Sequence, residues 1–90
     1  MKVSNMVSNR GNKIANQFIV FDSEFTLFQS YDSVIVKTDF VDGKRRVQLD
    51  ESTWDYSKTT SKYRNQFLGE TTKETQKKID SGEITLIDMN

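Results

Sequence analysis

Residues 54–69 read "WDYSKTTSKYRNQFLG". Upstream of this stretch apolar residues alternate along the chain. Inside it they recur every three or four positions. Thr60, Tyr63 and Phe67 fall on one face at i, i+3 and i+7, which predicts a helix from about Ser57. Gly69 stands where a left-handed cap ends a helix. Leu49, Trp54 and Tyr56 mark the change of period, so the fold is β-rich before it and helical after it.

Working back toward the N-terminus, "QFIVFD" (17–22), "FTLFQ" (25–29), "SVIVKT" (33–38) and "RRVQL" (45–49) are apolar and β-prone. Ser23-Glu24 makes a tight connection. Asp42-Gly43 is a strong hairpin signal, because both residues tolerate positive φ. Alternation puts Val47 and Leu49 inward and Arg46 and Gln48 outward. Four strands joined by short turns predict an antiparallel meander. Residues 1–16 are polar and Asn-rich, with Lys2, Arg10 and Lys13 and no acid. They are expected to be a loosely packed N-terminal arm, or alternatively a basic arm that contacts a partner.

Working forward, Thr71-x-x-Glu74 is a capping box that opens a second helix. Ser81-Gly82 closes it, with Lys77 and Lys78 in the favourable last turn. "EITLID" (83–88) reads as a fifth strand, with Ile84 and Leu86 on one face and Thr85 and Ile87 on the other. The expected fold is α+β: a single domain, 1–90, in which an antiparallel sheet (four-strand meander plus C-terminal strand) packs against two short helices. The last strand is expected at a sheet edge or beside the first strand.

Composition narrows the chemistry. A 90-residue chain buries somewhat over ~60% of its unfolded surface, which is one modest core. Lys+Arg and Asp+Glu number 13 each, so a globally basic nucleic-acid binder is disfavoured. There is no Cys and no His. Disulfides, thiolate nucleophiles, the usual structural zinc sites and His-based catalytic arrangements are therefore excluded. No cofactor is expected. No apolar run approaches membrane-spanning length, so a soluble, cytoplasmic protein is expected.

The opening stretch has two readings. In one, Tyr63 and Phe67 cover the sheet while Lys58, Lys62 and Asn65 form a solvated face. In the other, Tyr56, Lys58, Lys62 and Arg64 grip a partner, joined by Arg10 and Lys13 from the N-terminal segment and by Tyr31 near the second strand. Residues 56–68 and 1–20 each hold three cations and no acid, so they make a basic patch if they lie together. Asp50, Glu51 and Asp55 are the candidate carboxylates for an enzyme, which would need a raised pKa among them. Acids at a helix start ordinarily just complement its dipole.

The runs "NMVSNRGNKIANQFIV", "FQSYDSVI" and "LDESTWDYSKTTSKYRNQFLGE" resemble a family of small proteins of unknown function encoded by tailed bacteriophages. The resemblance covers nearly the whole chain and supplies no catalytic residues. It implies a non-enzymatic accessory protein in the cytoplasm of an infected bacterium. The resemblance implies that such a protein binds a host protein or complex, with an inhibitor of a host defence system, as anti-CRISPR proteins are, as one expected form. The alternative is a nucleic-acid-binding accessory protein that uses the basic arm and helix. Exposed sheet edges also admit a homodimer.

Overall fold

The computed structural model describes residues 1–90. Six strands and two helices follow in the order β1 (Lys2–Val7), β2 (Lys13–Phe21), β3 (Phe25–Ser30), β4 (Ser33–Val41), β5 (Lys44–Asp50), α1 (Lys58–Leu68), α2 (Thr72–Ser81) and β6 (Ile84–Ile87). The strands lie side by side in chain order, β1-β2-β3-β4-β5-β6. The class is α+β, with one sheet and two helices.

Two expectations need correction. Residues 1–16 are not a loosely packed arm: they form β1 and the first part of β2. Met6 is only 3% exposed and belongs to the core. The segment escapes sequence reading because Ser4 and Asn5 interrupt the alternation of Val3, Met6 and Val7. It is held by pairing with β2 from Lys2↔Phe21 to Asn5↔Phe18. The sheet is also mixed rather than all antiparallel. β6 runs parallel to β5, with Val47↔Ile84 and Leu49↔Leu86 in register. Parallel neighbours need a long crossover, and residues 51–83 with both helices provide it.

Register explains where the core sits. One row crosses all six strands as Ser4, Ile19, Phe28, Val36, Leu49 and Leu86. Its central members are apolar and face the helices. Phe28 stacks on Phe67 of α1, with ring centroids 5.8 Å apart. Tyr63, Phe67, Leu68 and Ile79 pack on the same cluster from the helices. The Ser30 and Thr60 hydroxyls meet at 3.0 Å and are both buried, which pins α1 to β3. A register shift between β3 and β4 leaves Ile35 as an extra residue, because Phe28 pairs with Val36 and Gln29 with Val34. The bulge lets Ile35 and Val36 both enter the core, each fully buried.

The ends of the elements follow the local chemistry. Asp42 and Gly43 adopt φ of 54° and 79°, the positive pair that a tight hairpin requires. Ser57 caps α1 by accepting from the Thr60 N–H, and Gly69 closes it at φ 72° with its N–H on the Asn65 carbonyl. Thr71 and Glu74 form the reciprocal capping box on α2.

Asp50 ties the end of β5 to the end of the chain. It is 1% exposed. Its carboxylate accepts from the Ser52 N–H at 3.1 Å, the Thr53 hydroxyl at 2.8 Å and the Met89 N–H at 2.9 Å. Beside it, the Asn90 side-chain amide completes the backbone of Val34, accepting from its N–H at 2.8 Å and donating to its carbonyl at 2.9 Å. This amide stands in for a strand neighbour where β5 has turned away. Burial alone raises the pKa of Asp50; the hydrogen bonds from Met89, Thr53 and Ser52 outweigh it and leave the carboxyl below its ordinary value.

A depressed folded-state pKa contributes stability above the unfolded value, and that stability is lost as pH falls through the folded one. Replacing Asp50→Ala is therefore expected to cost roughly 2–3 kcal/mol at neutral pH, because three donors lose a buried acceptor. Urea unfolding of both proteins across a pH series checks this. The gap is constant above about pH 4 and narrows below it.

Candidate partner-binding site

The basic residues and aromatics of the N-terminal hairpin and α1 separate into distinct places. Arg10 lies in the β1–β2 turn and Lys13 opens β2; both are exposed. Lys62 of α1 shares a groove with Ser8, Asn9 and Ile14 of this hairpin and with Tyr63 and Gln66 of its own helix. Gln66 reaches across to donate to the Val7 carbonyl at 3.0 Å. The N-terminal segment and α1 therefore adjoin, as a composite basic patch requires. Lys62 holds its ammonium 5.3 Å from the Tyr63 ring centre.

Tyr56 and Lys58 lie apart from that groove, at the start of α1. With Asp55, Ser57, Ser61 and Thr72 they line an open depression of about 400 Å³. Tyr31 sits in the β3–β4 turn at φ 54°, half exposed, with its N–H on the Asn16 carbonyl at 2.7 Å.

Arg64 is a correction. Expected on the gripping surface, it is 0% exposed and has the largest fully buried side chain in the chain. Its guanidinium donates to the Trp54 carbonyl, the Ser61 hydroxyl at 3.3 Å, Asn65 Oδ1 at 3.0 Å and the Thr72 hydroxyl at 2.8 Å. It lies 5.1 Å from the Trp54 ring centre and 3.5 Å from the half-exposed Asp55 carboxylate. Nε alone lacks a partner. Burial lowers its pKa, and the nearby Asp55 opposes that shift. Arginine carries its charge at any ordinary pH, so the side chain is a structural cation. It joins the loop after β5, the middle of α1 and the start of α2. The sequence signal was misleading because Arg64 stands in a run of solvated cations.

The three carboxylates do not assemble a reacting pair. Asp50 is the buried acceptor described above, with a lowered rather than raised pKa. Asp55 meets Arg64 and the Ser61 hydroxyl, and Glu51 is exposed. No group of three or more His, Cys, Asp or Glu side chains is placed to hold a metal ion. No helix is long and apolar enough to cross a membrane.

A surface that sequence reasoning missed lies on the side of the sheet away from the helices. One row there runs Val3, Val20, Leu27, Lys37, Gln48 and Thr85 across the six strands. It is apolar on β1–β3 and polar on β4–β6. Phe25, Leu27, Val34, Ile87 and Met89 line a groove of about 260 Å³ with Lys37 at its rim. The Lys37 ammonium is 5.6 Å from the Phe25 ring centre. Beyond it Arg46 holds Asp39 in a two-pronged pair, at 2.9 and 2.6 Å, and this bond lowers the Asp39 pKa. Two signals were present in the sequence. β3 carries apolar residues at both parities, Phe25 and Leu27 against Phe28, and Ile87 opposes the Ile84–Leu86 face.

Truncation of Arg64→Ala is expected to destabilise the fold by roughly 3 kcal/mol, since four acceptors lose a charged donor and a cavity opens. Arg64→Lys recovers little of this, because one ammonium cannot span the same acceptors. Thermal and urea melts measure both. No curated protein and no solved structure matches the chain. Residues 1–83 match a family of unknown function, DUF8033, and the chain belongs to that family.

Proposed function

We propose that this protein is a non-enzymatic binding module that docks a partner protein on the uncovered face of its sheet. The observation that carries this reading is the groove between Phe25, Leu27, Val34, Ile87 and Met89, apolar and open on a face that no helix covers. Apolar surface left open is costly in water, and contiguous patches of it mark interaction sites. Lys37 at the rim sets the chemistry of the partner: an apolar ridge flanked by a carboxylate. In the phage setting that the sequence resemblance implies, the partner is a host protein, and a host defence complex is the specific form of this reading.

A second reading has its own observation. The Lys62 groove adjoins the hairpin that bears Arg10 and Lys13, as a phosphate-binding surface would need. Phosphate binding weakens steeply with salt, whereas apolar docking does not.

Capture from bacterial lysate with three forms of the protein separates the readings. The first form is unaltered, the second is Leu27→Asp and the third is Lys62→Ala with Lys13→Ala. A stoichiometric protein that survives nuclease and is retained by the lysine variant, but is lost on Leu27→Asp, supports docking on the open face. The milder Leu27→Ala is expected to weaken a purified partner about tenfold or more. Recovery that vanishes with nuclease and with the lysine variant, yet persists with Leu27→Asp, overturns the reading in favour of nucleic acid.

A further inference from the structure

The two edges of the sheet differ. β6, at one end, offers only four residues, and the chain leaves it at once to close over Asp50 and Val34. β1, at the other end, offers six residues with no proline and a single charge, Lys2, at its start. The register shift between β1 and β2 lies on the β2 side. One residue, Met6, separates Asn5 from Val7, while four separate their partners Phe18 and Lys13. The extra residues of this irregularity thus lie on β2, and β1 keeps its alternation past it, with Met6 buried and Val7 exposed. Natural sheets ordinarily protect such an edge with charge, proline, a bulge or a covering segment. Here the only cover is the Gln66 side chain, whose amide occupies the Val7 carbonyl in place of a strand N–H.

Along this edge Lys2, Val3, Ser4 and Val7 are exposed, and the two valines are the apolar ones among them. Val3 is 59% exposed and Val7 50%. Alternation places Val3, Asn5 and Val7 on the side of the sheet away from the helices, while Met6 points into the core. The strand is self-complementary about Asn5. If a second copy pairs with it antiparallel, Val3 of each copy meets Val7 of the other, Ser4 meets Met6, and Asn5 meets Asn5. Both valines are then covered by cross-strand contacts, and no like charges are opposed. A two-fold pairing of this kind closes, whereas pairing β1 with the β6 edge of another copy would propagate as an open filament.

We infer that β1 is a homodimerisation edge, at which two copies of this chain pair antiparallel about Asn5 to make a continuous twelve-stranded sheet. Gln66 is displaced from Val7 when the partner backbone arrives. The two open faces then join across the two-fold, so one dimer presents two copies of the Lys37-rimmed groove.

The test uses two double variants at the exposed valines, where substitution leaves the core untouched. Val3→Lys with Val7→Lys sets like charges opposite each other across the two-fold. Val3→Glu with Val7→Lys sets opposite charges there. Circular dichroism confirms that each is folded, and light scattering on a sizing column reads the mass over a concentration series. The unaltered protein and the Glu/Lys variant are expected to be dimers and the Lys/Lys variant a monomer. Leu27→Asp is expected to remain a dimer, so this result is independent of the docking reading. A protein that is monomeric throughout overturns the inference. So does a dimer that survives in the Lys/Lys variant, or one lost equally in both double variants.

Discussion

A buried guanidinium holds this fold together where its two halves meet. The chain must leave β5, cross the sheet face through two helices and return beside β5 in parallel. The sheet holds the crossover through the Ser30–Thr60 hydroxyls and the Phe28–Phe67 stack, but neither ties its loop and two helices to one another. Arg64 does so by binding the Trp54 carbonyl before α1, Ser61 and Asn65 on α1, and Thr72 at the start of α2. Placing a cation in the interior is unfavourable unless its donors are satisfied. Four of its contacts are neutral oxygens, and the Trp54 ring and Asp55 supply further favourable field. The fan of a guanidinium fits this task, because its donors diverge in one plane toward separate acceptors.

Once the crossover is fixed, the rest of the layering follows. Both helices lie on one face, where Tyr63, Phe67, Leu68 and Ile79 close the core over Phe28, Val36 and Leu49. Two helices of 11 and 10 residues cover one face of a six-stranded sheet and leave the other bare. That bare face is not uniformly polar, as the outside of an antiparallel sheet often is. Val20 is 7% exposed there, between Val3 and Leu27 in the same row. The proposed docking surface and the proposed dimer edge both arise from this geometry. One is the face without a covering layer, and the other is the strand without a neighbour.

Local signals were read correctly where one residue or one period decided the outcome. The Ser57 start and Gly69 stop of α1, the Thr71–Glu74 box and the Asp42-Gly43 turn all stand where the sequence puts them. Their energetics involve neighbours in the chain, so neighbours in the chain reveal them. The N-terminal hairpin failed for the opposite reason. Asn5 interrupts Val3 and Val7 on one face, Lys2 and Ser4 precede Met6 on the other, and pairing with Phe18–Phe21 makes the segment a strand. Arg64 failed because burial cannot be seen in a run of cations. Its four acceptors come from separate points between residues 54 and 72, and they converge only in the folded chain.

The sequence by itself determined the secondary structure of residues 17–88, the inward face of β5 and of α1, and the exclusion of thiol, imidazole and disulfide chemistry. Those properties depend on composition, on period and on caps a few residues wide. Tertiary structure alone decided that β6 lies parallel beside β5, that Arg64 is a clamp rather than a contact, and that Phe25, Leu27, Val34, Ile87 and Met89 meet in one groove. Each of these brings together residues from distant strands and helices. Their free energy comes from burial and from hydrogen bonds that exist only after the chain has folded.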